Sequence, residues 1–143
     1  MERSAGILLP VFSLPGPYGI GSLGKPAFAF IDFLKKAGQK VWQMLPLSPT
    51  GFGDSPYQSC SAFAGNPYFI DLDILRKKGL LKKGEYGAKE CCTNEGAVDY
   101  AALYHSRYGV LRKAFARFST WYPDDYYRFC YEHGWWLEDY ALY

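Results

Sequence analysis

Residues 6–47 read GILLPVFSLPGPYGIGSLGKPAFAFIDFLKKAGQKVWQMLPL, in which two short apolar runs flank a helical pattern. The runs, at residues 4–12 and 40–47, each contain a proline near their end and are typical of buried strands in a parallel sheet. Pro26 suits the first turn of a helix, where its missing N–H costs nothing, and Gly38 suits the end of that helix. The order strand, helix, strand predicts a βαβ unit with parallel strands and a right-handed crossover.

An apolar face supports the helix of this unit. Four of its positions recur at intervals of three and four residues, which places them on one side of a helix. Side chains in such a pattern are expected to face the core. They are Ala27, Phe30, Ile31 and Leu34.

The middle of the chain combines one short element with surface segments. Residues 66–75 are predicted to be extended at first and then helical. The five basic residues within 76–83 are typical of a solvated helix end and turn. Residues 85–96 lack periodicity and predict a surface connection.

The last third of the sequence predicts helices. Asp99 is a good N-cap for a long helix, residues 123–125 suit the start of a second helix, and Gly134 suits its end. A further apolar element is predicted over residues 135–143. The stripe expected to face the core from the long helix is Tyr104, Tyr108, Leu111, Phe115 and Phe118.

Composition indicates a globular protein with an uncharged partner. The 143 residues are 49% hydrophobic and 19% aromatic, which argues against disorder, and a formal net charge of +2 is too small to indicate nucleic-acid or membrane binding. The first residues, MERSAGILLPVF, have a short apolar run broken by Pro10, unlike a secretion signal or a membrane span. We therefore expect a cytoplasmic protein.

The cysteines do not predict a metal site. Cys60, Cys91, Cys92 and Cys130 show no CxxC spacing and no paired histidines nearby. This arrangement is unlike a zinc site and is typical of reduced, structural thiols. No metal ion and no cofactor are predicted.

Residues 48–67, SPTGFGDSPYQSCSAFAGNP, form a long segment without hydrophobic periodicity. Compact domains mostly connect their elements with about four to six residues, and loops beyond roughly 12 to 15 residues tend to be functional or disordered. Aromatic residues and Gly-Pro punctuation favour a fixed shape over a solvated coil. We therefore interpret this segment as a functional loop.

Three stretches of the sequence resemble the 4-α-glucanotransferases known as amylomaltases or disproportionating enzymes. They are GILLPVFSLPGPYGIGSLG at residues 6–24, VWQMLPLSPTGFGDSPYQSCSAFAGNPYFIDL at 41–72 and WLEDYALY at 136–143. The first two have the separation usual in the family, whereas residues 82–97 match little and the helical stretch up to residue 130 matches only in pattern. The last stretch ties the whole chain to the family's N-terminal part.

The resemblance implies an α/β fold, the N-terminal part of a (β/α)8 TIM barrel with a helical insertion, with the barrel incomplete in this chain. Residues 1–75 would form the first strand-helix-strand unit with the substrate-cleft loops, and residues 76–143 a mainly helical inserted subdomain that is truncated. In such barrels the active face gathers the loops that follow the strands. Residues 13–24 and 48–67 would therefore line one sugar cleft.

The same resemblance implies transfer of α-1,4-glucan segments to a glucose or maltooligosaccharide acceptor, so α-1,4-glucans and maltooligosaccharides are the expected partners. Retaining glycosyl transfer needs two carboxylates about 5 to 5.5 Å apart. The family carries its catalytic carboxylates further along than this chain reaches. We therefore expect no catalytic residue here and an inactive isolated fragment. A non-catalytic glucan-binding module is an alternative, and a hydrolase of the wider α-amylase group is a third possibility.

The acidic residues of this chain are interpreted as helix caps and solvated side chains. None of them occupies the family's catalytic motifs. They include Asp71, Asp73, Asp99, Asp124, Asp125 and Asp139.

The long loop carries the side chains expected of a sugar site. Such sites combine an aromatic platform with short polar side chains, because sugars carry hydroxyl groups around weakly apolar C–H faces. Asp54, Ser55, Tyr57 and Gln58 supply that mixture. By resemblance, Tyr57 stacks beneath the sugar next to the cleaved bond, with Ser55 close by for hydroxyl contacts. The structural alternatives are a buried Tyr57, turn caps at Asp54 and Ser55, and a Gln58 that only braces the loop.

Phe52 lies on the same loop, where family members can carry tyrosine. It could contact glucan at an outlying surface. A packed phenylalanine is the alternative.

Overall fold

A computed structural model of the protein describes residues 3–87 and 96–143. Strand β1, Gly6–Leu8, and strand β2, Val41–Gln43, form a parallel pair, and helix α1, Lys25–Lys36, lies between them in sequence. Ile7 is the register partner of Trp42. The predicted order of strand, helix and parallel strand is therefore confirmed.

Both strands are shorter and more exposed than predicted. The first apolar run leaves the strand before Pro10, which has no N–H for a ladder, and continues as a short 3₁₀ turn over Val11–Ser13. Leu8 and Val41 are exposed. The prediction of buried strands is wrong for these residues, because within the described part of the chain each strand pairs only with the other and neither face is fully covered.

Helix α1 follows the sequence prediction closely. Pro26 lies in its first turn, and Gly38, just beyond its last residues, has a φ of 69° that favours glycine. Ala27 and Leu34 are buried and Phe30 packs edge-on against Trp42, with 5.0 Å between ring centroids. The fourth predicted core position, Ile31, is exposed.

Three more helices complete the described chain: α2 over Leu72–Lys77, α3 over Tyr100–Phe118 and α4 over Asp124–Leu142. A 3₁₀ turn, Pro67–Phe69, precedes α2, where an extended segment was predicted. Asp99 is the N-cap of α3, as predicted, because its carboxylate accepts a hydrogen bond of 2.9 Å from the N–H of Ala102.

The fully buried face of α3 is displaced by one residue from the predicted one. Tyr104 and Phe115 are 61% and 59% exposed, whereas Tyr108, Leu111 and Phe118 of the predicted stripe are half-buried. The buried positions keep the same spacing but lie one residue earlier in the sequence, where smaller side chains allow close packing. One of them is an arginine, which donates hydrogen bonds to the carbonyl groups of Tyr68 and Ile70. An apolar pattern could not reveal an arginine in the core. The buried positions are Leu103, Arg107, Val110 and Ala114.

Helix α4 begins where predicted but does not end at Gly134. The predicted separate element over residues 135–143 is instead the second half of this helix. One glycine inside a helix costs about 1 kcal/mol relative to alanine, which is too little to end a long helix.

The buried side chains form two clusters that share α3. Leu103 joins a cluster with Val11, Tyr68 and others near the sheet, and Val110 joins a second one near α2. Tyr86 belongs to the second cluster, so the prediction that residues 85–96 are only a surface connection is wrong at that position. Residues 88–95, including Cys91 and Cys92, lie outside the described residues.

Candidate functional site

The long loop after β2 has a defined backbone. The N–H of Gly51 donates to the carbonyl of Gln58 at 3.2 Å, and the N–H of Asp54 donates to the carbonyl of Gly51 at 3.1 Å. The tight turn over residues 51–54 therefore lies inside the wider loop closed between residues 51 and 58. At the base of the loop, the N–H of Asn66 donates to the carbonyl of Leu47 at 2.8 Å. These bonds support the interpretation of a loop with a fixed shape.

The second half of the loop packs on α4. The hydroxyl oxygen of Ser61 accepts from the N–H groups of Phe63 and Ala64, at 3.2 and 3.0 Å. The ring of Phe63 then lies 4.7 Å from that of Trp135 and 5.8 Å from that of Trp136. Sequence reasoning did not anticipate this contact, since α4 follows the loop by about 60 residues.

Tyr57 projects from the first half of the loop and is 73% exposed. The buried alternative for this residue is therefore wrong. Its own N–H contacts the hydroxyl oxygen of Ser55 at 3.3 Å, and the N–H of Gln58 donates to the Ser55 carbonyl at 3.1 Å. Ser55 thus has the turn-capping contact that was its structural alternative, and it lies beside Tyr57.

Asp54 occupies a strained backbone position, and its charge has an effect on two tyrosines. Its φ of 56° lies in the left-handed region, where aspartate is tolerated better than most residues. Burial, followed by neighbouring charges that include Asp54, raises the pKa of Tyr68 to about 12. Burial and then Asp54 also raise the pKa of Tyr100.

The remaining two candidates, Gln58 and Phe52, are both exposed and differ in their contacts. Gln58 is exposed and its backbone carbonyl braces the loop through Gly51, so the bracing alternative has a visible basis. Phe52 is completely exposed, with a relative accessibility of 106%. The alternative of a packed phenylalanine is therefore wrong.

A second loop, residues 13–24, follows β1 and forms one wall of a groove of about 980 Å³. The opposite wall includes Val98 and Tyr100. Tyr100 is the first residue of α3, so the groove lies at the N-terminal end of that helix. Both loops follow the carboxyl ends of parallel strands, the edge where ligand sites of α/β proteins gather.

Several carboxylates are engaged in internal contacts that the sequence did not reveal. Asp71 accepts from the hydroxyl of Ser22 at 2.8 Å, and Asp73 accepts from the hydroxyl of Tyr86 at 2.9 Å. Glu85 forms an ion pair of 2.6 Å with Arg117. Asp71 and Asp99 are helix caps as predicted, but Asp71 is buried rather than solvated.

Metal-binding clusters and membrane-spanning helices are both absent from residues 3–87 and 96–143. No group of three or more His, Cys, Asp or Glu side chains in those ranges could hold a metal ion. No helix there has the length and apolar character needed to cross a membrane. Cys60 and Cys130, the two cysteines in those ranges, are free.

The chain is similar in sequence to known 4-alpha-glucanotransferases. It is 50% identical to the enzyme of Clostridium butyricum over 93% of this chain, and 48% identical to that of Thermus thermophilus over 100% of it. The chain spans only 27% and 28% of the length of these curated relatives.

The structure is similar to that of an amylomaltase from Streptococcus agalactiae, solved in complex with acarbose. The two superpose with a TM-score of 0.87 at 43% identity, over 94% of this chain and 28% of the other. In addition, the family model for glycoside hydrolase family 77, described as 4-alpha-glucanotransferase, matches residues 9–143. The chain therefore belongs to the 4-alpha-glucanotransferase family.

Proposed function

We propose that this chain forms part of the sugar cleft of an enzyme that transfers α-1,4-glucan segments to a glucose or maltooligosaccharide acceptor. The observation that carries the proposal is the exposed ring of Tyr57, on a hydrogen-bonded loop, in a chain of this family. An exposed ring on a pre-shaped loop is a suitable platform for a sugar face, because little conformational freedom is lost when the sugar binds.

The polar neighbours of Tyr57 complete the proposed sugar contacts. The hydroxyl of Ser55, the carboxylate of Asp54 and the amide of Gln58 would bond sugar hydroxyl groups at the edge of the ring. Support comes from their short separation along one turn and from the similar amylomaltase, which was solved with acarbose, a maltooligosaccharide analogue. Phe52 would contact longer glucans outside the cleft, in keeping with its complete exposure.

The proposal includes the architecture around the cleft. We assign β1, α1 and β2 to the first units of a (β/α)8 barrel, within residues 1–75, and residues 76–143 to a mainly helical inserted subdomain. The parallel pairing of β1 with β2 and the position of both loops after these strands support this assignment. A cytoplasmic location, which suits the free Cys60 and Cys130, is part of the same proposal.

The chemical step is assigned to carboxylates outside this chain. Retaining transfer needs a nucleophile and an acid/base about 5 to 5.5 Å apart. None of the acidic residues of this chain occupies the family's catalytic motifs, which is the basis of this assignment. The same observation keeps a glucan-binding module without catalysis as the second candidate.

Product analysis separates the candidates. The protein expressed from its complete gene is incubated with maltotriose, and the products are separated by anion-exchange chromatography. A transferase releases glucose together with oligosaccharides longer than maltotriose, a hydrolase yields only shorter products, and a binding module leaves maltotriose intact. Either of the last two results would overturn the proposed transfer.

A further inference from the structure

The loop of residues 13–24 is attached to the start of α2 by a buried hydrogen bond. The hydroxyl of Ser22 donates to one oxygen of Asp71 at 2.8 Å, and both residues are buried, with 6% and 8% of their surface exposed. The other oxygen of Asp71 accepts from the N–H of Ile74 at 2.9 Å and caps α2. Because both oxygens are engaged, the carboxylate has one orientation.

The backbone on either side of Ser22 follows the same surface. The N–H of Leu23 donates to the carbonyl of Phe69 at 2.9 Å. Gly24 passes so close to Asp71 that a Cβ at this position would lie 1.8 Å from a carboxylate oxygen. The end of the loop is therefore in van der Waals contact with the residue that caps α2.

A second carboxylate of α2 holds the middle of the loop. The hydroxyl of Tyr86 donates to Asp73 at 2.9 Å, and the ring of Tyr18, on the loop, lies edge-on to that of Tyr86 with 5.4 Å between centroids. Tyr18 thus reaches Asp73 through Tyr86, while Ser22 bonds directly to Asp71, the cap of the same helix.

We propose that Asp71 and Asp73 are positioning residues that hold the loop of residues 13–24 in the shape that binds glucan. The loop contributes Leu14 through Pro17 to the wall of the groove, and its far side rests on the two carboxylates. A loop rich in glycine and proline has few side chains of its own that could hold it in one shape. The inference rests on the proposed function, since it assigns the groove to glucan.

Ser22→Ala tests the inference because it removes the bond to the loop and leaves Asp71 to cap α2. In the protein expressed from its complete gene, we expect the KM for maltoheptaose to rise about fivefold or more, with a much smaller change in kcat, as expected when substrate positioning is lost at a binding wall. Amide hydrogen exchange should accelerate in residues 13–24 and remain unchanged in α2.

Two further variants serve as controls. Ser106→Ala removes a hydroxyl that bonds only within α3, to the carbonyl of Ala102, and should change neither KM nor exchange in the loop. Asp71→Asn retains an oxygen for the cap and an amide that can bond the Ser22 hydroxyl, so its KM should stay near that of the natural protein.

The outcomes distinguish the two proposals. The inference would be overturned if Ser22→Ala and the natural protein had the same KM and the same amide hydrogen exchange in residues 13–24. The proposed function would then remain intact. Absence of any turnover or binding of maltoheptaose by the natural protein would overturn both. If Ser22→Ala fails to fold, Tyr86→Phe, which keeps the ring that Tyr18 contacts and removes the bond to Asp73, replaces it with the same expected rise in KM.

Discussion

Tyr57 presents its ring from a backbone that is held on both sides. Its N–H contacts Ser55, and Gly51 bonds to Gln58, so the ring needs little ordering when a sugar binds. Tyr57→Ala removes the platform, and burial of a large apolar side chain is worth about 1–3 kcal/mol. We expect kcat/KM for maltotriose, measured as glucose release by the protein expressed from its complete gene, to fall roughly tenfold or more.

Two variants control for this loss. Tyr57→Phe keeps the ring and removes only the hydroxyl, so most of the activity should remain. Tyr131→Ala removes another exposed tyrosine, on α4, and should leave turnover unchanged. Kinetics of Tyr57→Ala equal to those of the natural protein would show that this side chain has no part in binding sugar.

Phe52 provides a separate test of contacts outside the cleft. Because its ring is fully exposed, Phe52→Ala should leave the fold intact. If the ring holds distant parts of a long chain, affinity for amylose falls while turnover of maltotriose stays nearly the same, since remote binding mainly affects KM. The measurement is KM for both substrates, and equal changes for the two would reject the outlying role.

Single residues of the candidate site could be predicted only where they share a short segment. Tyr57 and its polar neighbours lie within one motif, so composition and resemblance were sufficient to select them. Ser22 and Asp71 are 49 positions apart, and neither belongs to a periodic pattern. Their contact depends on the tertiary path of the loop, which a pattern within one segment cannot show.

At the scale of elements, local signals gave the helix starts and the tertiary fold decided the faces. Pro26 and Asp99 act where the sequence predicted them, because capping is a local interaction. The face of α3 was predicted one position away from the buried one. Its tyrosines are large and partly polar, and a pattern that counts them as apolar cannot tell whether they line the core or border it.

An ion pair between Glu85 and Arg117 attaches the segment that follows α2 to helix α3. The hydrogen bond from Arg117, assisted by that from the N–H of Lys82, lowers the pKa of Glu85 from its ordinary 4.5 to about 2. A carboxylate with a lowered pKa in the folded state stabilises that state fully above about pH 4.5, and this contribution is lost as the pH falls towards 2. We expect Glu85→Gln to reduce the loss of thermal stability between pH 5 and about 2.5, measured by circular dichroism.

Glu132→Gln is the matched control for this change. Glu132 is exposed on α4, so its replacement should leave the acid sensitivity of the melting temperature as it is in the natural protein. Identical slopes of melting temperature against pH for Glu85→Gln and the natural protein would show that the pair with Arg117 contributes nothing to acid stability.

At the scale of the whole molecule, the βαβ unit was predictable because residues 6–47 carry all its signals in order. The distribution of exposed aromatic side chains could not be predicted from the sequence. In the described residues β1 and β2 pair only with each other, and α4 has no buried residue. Large apolar side chains therefore lie at the surface, among them three that periodic patterns assigned to the core, Ile31, Tyr104 and Phe115. The large apolar side chains at the surface include Phe28, Ile31, Phe33, Val41, Tyr104, Phe115, Trp121 and Trp135.

These surfaces predict how the 143-residue chain behaves when it is expressed alone. Exposed strand edges and contiguous apolar patches promote association, so we expect large species in sedimentation velocity. The chain should also release no glucose from maltotriose and form no longer oligosaccharides, because transfer needs a pair of catalytic carboxylates and none of its acidic residues occupies the family's catalytic motifs. A monodisperse preparation that disproportionates maltotriose would contradict both expectations, and it would require an acid pair among the residues interpreted as helix caps and solvated side chains.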